Sequence, residues 1–500
     1  MTQHNIGQAQ SELGAMAGDT TRQADALRAF RAAQSVRSRQ SQPEQWAAIQ
    51  NAVGLALKRQ GEGQGDTGLL DQAVAAFAEA REVSTRERSP LEWARLHRNS
   101  GDALACNGRM GDDAGRLQTA VSHYRNALEV YTPDALPDLS AKVQNALGLA
   151  QKRIGKLTGA PQAYQAAITA FTSALAIWTR EGEPHAWSKA QHDLGLTLQE
   201  ASTPTGDTEQ LRAAVSAFEQ ALQARSKTDA PQAWADTRSQ LGVALCLIGG
   251  FEEDTGQLTG GIEILREALA VRDRDAAPAD WAVSQNHLGV ALQTLGELTG
   301  DATALEEAAS AFDAALSVQD KTTSPAEWTS NQFGLGSALL SLGEVTGDPS
   351  RVEAAVAAFR TALDAASDRA ASNQPALIRF RLGSALQSLG QVSGDAAPLE
   401  EAVSLFDDVL EQADPHGAET GQLRFMALAK KATTLRSMGE ITSETARLQE
   451  AAEACIELAE LCETGGDAEM AAAVRQEADE IRALIAGQET PETPTAPETP

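Results

Sequence analysis

The residue types best suited to chemistry fall in a few short stretches. Gly61-Glu-Gly-Gln-Gly-Asp-Thr-Gly68 has the glycine density of a loop whose backbone N–H groups cradle phosphate. It lacks the closing Gly-Lys-Ser/Thr and no strand-like run precedes it, so it reads as a connection between helices. Phe251-Glu-Glu-Asp-Thr-Gly256 offers carboxylates, but without the alternating oxygen ligands and terminal Glu of a calcium loop. His192 and His287 fall on the inward stretch of predicted helices, with no second His, Cys or carboxylate at ligand spacing. Cys106, Cys246, Cys455 and Cys462 fit neither a disulfide framework nor a CxxC zinc site. Cys455 and Cys462, seven residues apart, share a helix face and read as core. The expectation is therefore no catalytic residue, no metal and no cofactor.

What remains is binding, and the charge limits the partners. The 500 residues carry 41 Lys plus Arg against 69 Asp plus Glu, a net charge of −28. That excess opposes sequence-independent nucleic-acid binding and adhesion to anionic lipid. No run approaches 18 apolar residues and the start MTQHNIGQAQ has no basic or apolar leader, so the expected compartment is the cytoplasm. The charge is uneven: residues 1–160 hold 19 basic and 17 acidic side chains, whereas 161–500 hold 22 and 52.

The elements that position these residues repeat with a period of 47. Trp46, Trp93, Trp187, Trp234, Trp281 and Trp328 stand on one comb; Gly54, Gly101, Gly148, Gly195, Gly242, Gly289, Gly336 and Gly383 on a second. A third carries Phe30, Phe77, Tyr124, Phe171, Phe218, Leu265, Phe312, Phe359 and Phe406. A proline three residues before the Trp comb opens a first helix, A, with Ser89 and Ser324 as N-cap candidates in two repeats. Helix A is expected to stop at the column Gly61, Gly108, Gly155, Gly249, Gly296, Gly343 and Gly390, followed by a short GE-x-TG loop. An aspartate column, including Asp66, Asp113, Asp207, Asp254, Asp301, Asp348 and Asp395, then caps a second helix, B. Apolar residues recur at helical spacing in helix B, as in Leu305, Ala308, Ala309, Phe312, Ala315 and Leu316, and nothing alternates with period two. One hairpin has too little apolar surface to stand alone, so the core is a ribbon shared by stacked neighbours. A fully buried mid-array Trp such as Trp281 would cost about 3–5 kcal/mol to truncate.

The string Leu288-Gly289-Val290-Ala291-Leu292, followed by Ala308 through Leu316, resembles the tetratricopeptide repeat signature at its Leu-Gly, Ala, Phe and Ala positions. The resemblance covers residues 1 to about 465 and looks like a long-period bacterial subtype, its period being 47 rather than 34. It implies an all-α, right-handed superhelical solenoid of hairpins whose concave wall, built by A helices, holds peptides or partner proteins. The organisation expected is a partial repeat at 1–42, eight repeats at 43–418, a degenerate ninth at 419–465, a capping helix at 466–486 and a disordered Pro/Glu/Thr tail at 487–500.

On that geometry the groove-facing positions lie six, three and two residues before the Gly54 column, and one and four after it. They place Asn51, Lys58, Arg95, Arg98, Lys142, Asn145, Lys152, Lys189, His192 and Asn286 on the concave wall. The same positions are basic and amide-rich in the early repeats and neutral or apolar later. A trough of Arg95, Arg98, Lys142, Asn145, Lys189 and His192 would suit an acidic segment or a C-terminal carboxylate. The bland alternative is a solvated inner face with Arg98 paired to Asp102 one turn away. The charge asymmetry also allows head-to-tail self-association or docking of the acidic tail. The expected function is a non-enzymatic protein-interaction scaffold; the alternative is the sensor or regulatory subunit of a bacterial effector system whose protease or signalling ATPase is encoded separately.

Overall fold

The computed structural model describes residues 3–17, 20–366, 374–412 and 418–489, so the tail beyond residue 489 lies outside the described residues. The described residues form helices and connections, with no strand among them. The chain divides into two compact bodies, Met1–Phe251 and Glu252–Pro500. The N-terminal body contains α1 (Gln3–Ala17), α2 (Thr20–Gln34), α3 (Pro43–Gln64), α4 (Thr67–Arg81), α5 (Pro90–Met110), α6 (Ala114–Leu128), α7 (Pro137–Thr158), α8 (Pro161–Leu175), α9 (Pro184–Ser202), α10 (Thr208–Leu222) and α11 (Pro231–Phe251). The C-terminal body contains α12 (Thr255–Leu269), α13 (Pro278–Thr299), α14 (Ala302–Leu316), α15 (Pro325–Thr346), α16 (Pro349–Ala366), α17 (Gln374–Ser393), α18 (Ala396–Gln412), α19 (Ala418–Thr442), α20 (Thr445–Thr464) and α21 (Ala468–Glu489). Within each body an odd-numbered helix packs on the following even-numbered one, each even helix on the next odd one, and successive odd helices touch from α1 to α11 and from α13 to α19. Each body is thus an all-α solenoid of tetratricopeptide-like hairpins, with odd helices in the A role and even helices in the B role.

The prolines start the A helices as read, because a first-turn proline loses no needed N–H. The aspartates cap the B helices: Asp66 Oδ1 accepts from Gly68 N at 2.8 Å and Leu69 N at 3.2 Å, and Asp301 Oδ1 from Thr303 N at 2.9 Å. Ser89 and Ser324 occupy N-cap positions but make no side-chain cap. The Ser324 hydroxyl instead donates to Asp320 O at 3.2 Å, while the Ser89 and Ser324 carbonyls accept from Trp93 N and Trp328 N at 2.9 Å.

Helix A does not stop at the Gly61 column. It runs on to a second glycine, and Gly65, Gly159, Gly300 and Gly347 are its left-handed C-caps, with φ of 68, 67, 68 and 67°. The earlier glycine serves packing: a Cβ on Gly296 would lie 2.6 Å from Leu305 Cγ, and on Gly390 2.6 Å from Leu399 Cγ. A packing glycine and a helix-stop glycine leave the same mark on a single chain.

The Gly54 column brings helix A equally close to the aromatic comb of helix B. A Cβ would stand 2.5 Å from Phe77 Cε1 at Gly54, 2.8 Å from Phe171 Cε1 at Gly148 and 2.9 Å from Phe312 Cζ at Gly289. These rings are fully buried. Trp46, Trp93, Trp234, Trp281 and Trp328 are only half-buried, which corrects the expectation of a full-core cost at Trp281. Each of them carries a cation from the preceding inter-hairpin connection on its face: Arg39, Arg86, Lys227, Arg274 and Lys321 lie 5.2–5.7 Å from the ring centroids. The same connection reaches the C-cap of the next B helix, where Arg39 pairs with Glu82, Arg86 with Glu129, and Arg274 donates to Ser317 Oγ at 3.0 Å.

A polar knot ties the end of α4 to the hairpin α5–α6. Arg81 Nη1 donates to Ser100 Oγ at 2.7 Å and lies 3.2 Å from His123 Nδ1, which stands 2.9 Å from His97 Nδ1. Burial, with Arg81 adding to it, pushes His97 down to about 3 and His123 to about 4.

Two predictions follow from this packing. Gly289→Ala should destabilise the protein by about 1–3 kcal/mol through overpacking on Phe312, Phe312→Ala by about 3–5 kcal/mol, and Trp281→Ala by less than Phe312→Ala; chemical denaturation of the three variants tests the order. The histidines give a sign for pH. Unfolded imidazoles take up protons below about 6.5, whereas the folded pair stays neutral until its depressed values are reached, so folding stability falls as pH drops from about 6.5 towards 4. A His97→Gln/His123→Gln variant should flatten that fall in melting temperature; an unchanged slope would show that the pair does not titrate as described.

Candidate functional site

In the N-terminal body two cavities open along a groove between A helices that stand side by side. The first, about 370 Å³, spans α1, α3 and α5 and takes Ser11, Glu12, Asn51, Leu55, Arg59 and Arg95 into its lining. The second, about 230 Å³, spans α3, α5 and α7 and is bordered by Lys58, Glu62, Asp102, Arg109, Tyr124 and Arg153. Together these linings present five cations against three carboxylates.

The residues anticipated from sequence divide. Asn51 and Arg95 line the first cavity and Lys58 the second. Asn51 is buried and its Oδ1 accepts from Asn99 Nδ2 at 2.8 Å. Arg95 pairs with Glu92 on its own helix, and its buried Nε has no partner. Lys58 Nζ lies 2.8 Å from Glu62 Oε1. Arg98, between the cavities, reaches Asp102 only at 4.0 Å and donates to Asn99 Oδ1 at 3.2 Å. Lys142 is exposed and held 2.7 Å from Asp138 Oδ2. Asn145 is half-buried, with a buried Oδ1 that has no hydrogen-bond partner.

Further along the N-terminal body, Lys152, Lys189 and His192 gather around the buried Asp193. Burial raises the Asp193 carboxyl, and Lys152, Lys189 and Arg225 oppose that rise. His192 Nδ1 lies 3.2 Å from Thr237 Oγ1, and burial together with Arg225, Lys152 and Lys189 pushes His192 down to about 3. It is a neutral imidazole at any ordinary pH, poor as a general acid and already engaged. In the C-terminal body Asn286 lines a separate cavity of about 250 Å³ with Val283, Gln319, Glu327, Ser330 and Asn331. Its Nδ2 donates to Asn331 Oδ1 at 2.7 Å, and Asn331 Nδ2 donates on to Gln319 Oε1 at 2.7 Å.

Sequence reasoning missed Arg59, Arg109 and Arg153, which stand five or eight residues after the glycine of the second comb in their own helices. At 3.6 residues per turn, positions one, four, five and eight share one helix face. Extending the groove register past position four would have found all three. Tyr124 was also missed as a polar group: placed on the Phe comb, it sends its hydroxyl through the hairpin to donate to Asp102 Oδ1 at 2.9 Å. Burial raises the Asp102 carboxyl, while Lys58, that hydroxyl and Arg98 draw it back.

Nothing in this arrangement assembles a nucleophile with a base. The four cysteines are buried, and burial drives Cys246 up to about 12 and Cys455 to about 11. Among the described residues no three His, Cys, Asp or Glu side chains gather as a metal-holding group, and no helix is long and apolar enough to cross a membrane. The groove can supply charge-assisted hydrogen bonds, side-chain amides and shallow apolar floor.

No family model and no curated protein matches this chain. Similar solved structures include the apo form of RapI, with 12% identity, covering 88% of this chain and 100% of that one at a TM-score of 0.44. The quorum sensor NprR from B. thuringiensis, in its apo form, has 12% identity over 85% of this chain and 98% of that one, with a TM-score of 0.44. A human IFIT1 dimer with PPP-AAAA has 13% identity over 95% and 89%, again with a TM-score of 0.44. At these values the likeness carries no argument about this chain, and the helical-hairpin fold rests on the packing described above.

Proposed function

We propose that this chain is a non-enzymatic protein-interaction scaffold, built on the long-period bacterial tetratricopeptide plan, whose N-terminal groove holds an acidic segment or C-terminal carboxylate of a partner protein. On this reading the hairpins between residues 43 and 418 are the working repeats, flanked by a partial repeat at 1–42, a degenerate one at 419–465 and a capping helix at 466–486. The observation that carries it is the pair of groove cavities in the N-terminal body, where Arg59, Arg95, Lys58, Arg109 and Arg153 outnumber Glu12, Glu62 and Asp102.

The chemistry favours anions for a physical reason. Arg95 and Arg153 are paired through Nη2, with Glu92 and Asp112, and each still buries an Nε without a hydrogen-bond partner. A carboxylate arriving beside such a guanidinium makes charge-assisted bonds worth about 1.5–3 kcal/mol each. Asn51, Arg98, Lys142, Asn145, Lys152, Lys189 and His192 extend the lining along the same wall, with the amides suited to peptide backbone and the lysines to more distant carboxylates. Asn286 belongs to the separate cavity of the C-terminal body and, being tied into an amide chain, would contribute hydrogen bonding without charge.

Fluorescence anisotropy with a labelled oligoglutamate peptide, in free-acid and amidated forms, tests the proposal. The free acid should bind the full chain and weaken with added salt. Arg95→Glu combined with Arg153→Glu should reduce its affinity at least tenfold, corresponding to about 1.4 kcal/mol. Equal binding by this double variant, in a protein that melts like the parent, removes the groove from consideration.

A further inference from the structure

The C-terminal body carries an apolar row that its core does not use. Leu298, Val345, Val392 and Ile441 are the penultimate residues of α13, α15, α17 and α19, and they stand 40, 47, 56 and 40% exposed. Scattered single apolar residues on a surface need no explanation. Here one position stays aliphatic and exposed in four consecutive hairpins whose A helices touch one another in turn. The same register in the N-terminal body reads Gly63, Met110, Leu157, Pro204 and Phe251, with no such continuity.

The local backbone holds the row in place. The hydroxyl that follows each member bonds back to a helix carbonyl: Thr299 to Leu295 O at 2.7 Å, Thr346 to Leu342 O at 2.7 Å, Ser393 to Leu389 O at 2.8 Å and Thr442 to Met438 O at 2.8 Å. Residues with positive φ then end the turns, at Gly300, Gly347, Gly394 and Ser443. The polar groups nearest the row are therefore satisfied within each hairpin, and what faces outward is hydrocarbon.

Carboxylates flank the row on both sides. One residue earlier stand Glu297, Glu344 and Glu440; three residues later stand Asp301, Asp348, Asp395 and Glu444. Ser341 Oγ donates to Glu297 Oε1 at 2.9 Å and Ser388 Oγ to Glu344 Oε1 at 3.1 Å, which ties each glutamate to the neighbouring A helix. Arg351, Arg436 and Arg447 lie against Asp348, Glu440 and Glu444. Among the described residues, Glu297, Glu344, Asp301 and Asp395 have no cation beside them. Residues 252–500 hold 16 basic and 43 acidic side chains, so a long-range field reinforces the local one.

We propose that this row is a docking surface for a basic amphipathic helix of a partner protein, distinct from the acidic-ligand groove of the N-terminal body. The spacing suits a helix. Packed helices stand roughly 8–10 Å apart, and apolar residues seven apart on an α-helix are separated by about 10.5 Å. One aliphatic side chain every two turns would meet each row residue in order, with flanking Lys and Arg meeting the two carboxylate rails. The same rails repel anionic lipid and any acidic segment, so this surface and the groove select opposite partners.

The test uses the full chain and a synthetic helical peptide of four heptads, with Leu at every seventh position and Lys on both flanks, read by fluorescence anisotropy. A second peptide keeps the Leu and replaces every Lys by Glu. The Lys peptide should bind and the Glu peptide should not. Val345→Ser with Val392→Ser should weaken the Lys peptide at least tenfold while leaving the melting temperature unchanged. Val345→Thr with Val392→Thr, which keeps the β-branch, provides a second variant should the serines disturb folding, and should weaken binding in the same direction. Four results overturn the proposal: no binding of the Lys peptide; equal binding of the Lys peptide by parent and both variants, which is charge adhesion alone; concentration-dependent dimerisation in sedimentation that the Val345 variants abolish, which makes a second copy the occupant; and retention on zwitterionic vesicles that the same variants abolish, which makes it a lipid surface.

Discussion

Eight hairpins share one contact on which their geometry depends: an aromatic ring of helix B laid on a helix A backbone that has no Cβ to fend it off. A ring 2.5–2.9 Å from where a Cβ would sit leaves room for hydrogen and nothing else. The cost of glycine inside a helix, about 1 kcal/mol against alanine, is offset by burying a whole aromatic ring at that close approach. Because the contact recurs at the same place in successive hairpins, it sets the spacing between helices and thereby the width of the face that the A helices turn inward. A second close approach near the end of helix A, of the Gly296–Leu305 kind, fixes the hairpin at its turn. With two points fixed, the angle between the helices is no longer free.

That constraint explains what the tryptophans do. Closing a hairpin uses the Phe and the two glycines, so Trp46, Trp93, Trp234, Trp281 and Trp328 are left at junctions between hairpins, half-buried, with a cation from the preceding connection on the ring face, whereas Trp187 is buried. The same cation often reaches the C-cap of the following B helix, as with Arg39 and Glu82 or Arg86 and Glu129. A cation near the last carbonyls of a helix is favourable on its own account. The junction is thus held by partly exposed polar and aromatic contacts, while the hairpin is held by close packing, and salt should act mainly on the former.

Much of this was legible because repetition turns one sequence into an alignment of itself. The Gly and Phe combs, the first-turn prolines and the capping aspartates declare their roles by recurring at fixed offsets. What was not legible is whatever requires knowing which neighbour a residue meets. Gly61 and Gly296 look like helix stops in one dimension and are packing glycines in three. Ser89 sits at an N-cap position, but its side chain makes no cap there. The groove residues divide for the same reason: Asn51, Lys58 and Arg95 face cavities because the helical register alone decides it, whereas the burial of His192 against Thr237 and Phe218 depends on neighbours outside its helix. Arg59, Arg109 and Arg153 were within reach of the register and were missed only because it was not followed for another turn.

The distribution of charge between the two bodies ties the fold to its chemistry. Residues 1–251 hold 25 basic and 26 acidic side chains, nearly neutral, and residues 252–500 carry almost the whole net charge. A solenoid permits this, because each hairpin is stabilised by its immediate neighbours and its exposed positions are free to vary in sign. Self-repulsion within so acidic a body costs stability, yet Arg266 with Glu307 and Arg360 with Glu401 recover only part of it across neighbouring B helices. Exposed pairs of this kind contribute little. The close-packed hairpin contact therefore bears the repulsion, which leaves the exposed charge available for recognition: basic residues gathered in the groove of one body, carboxylates aligned along the helix ends of the other.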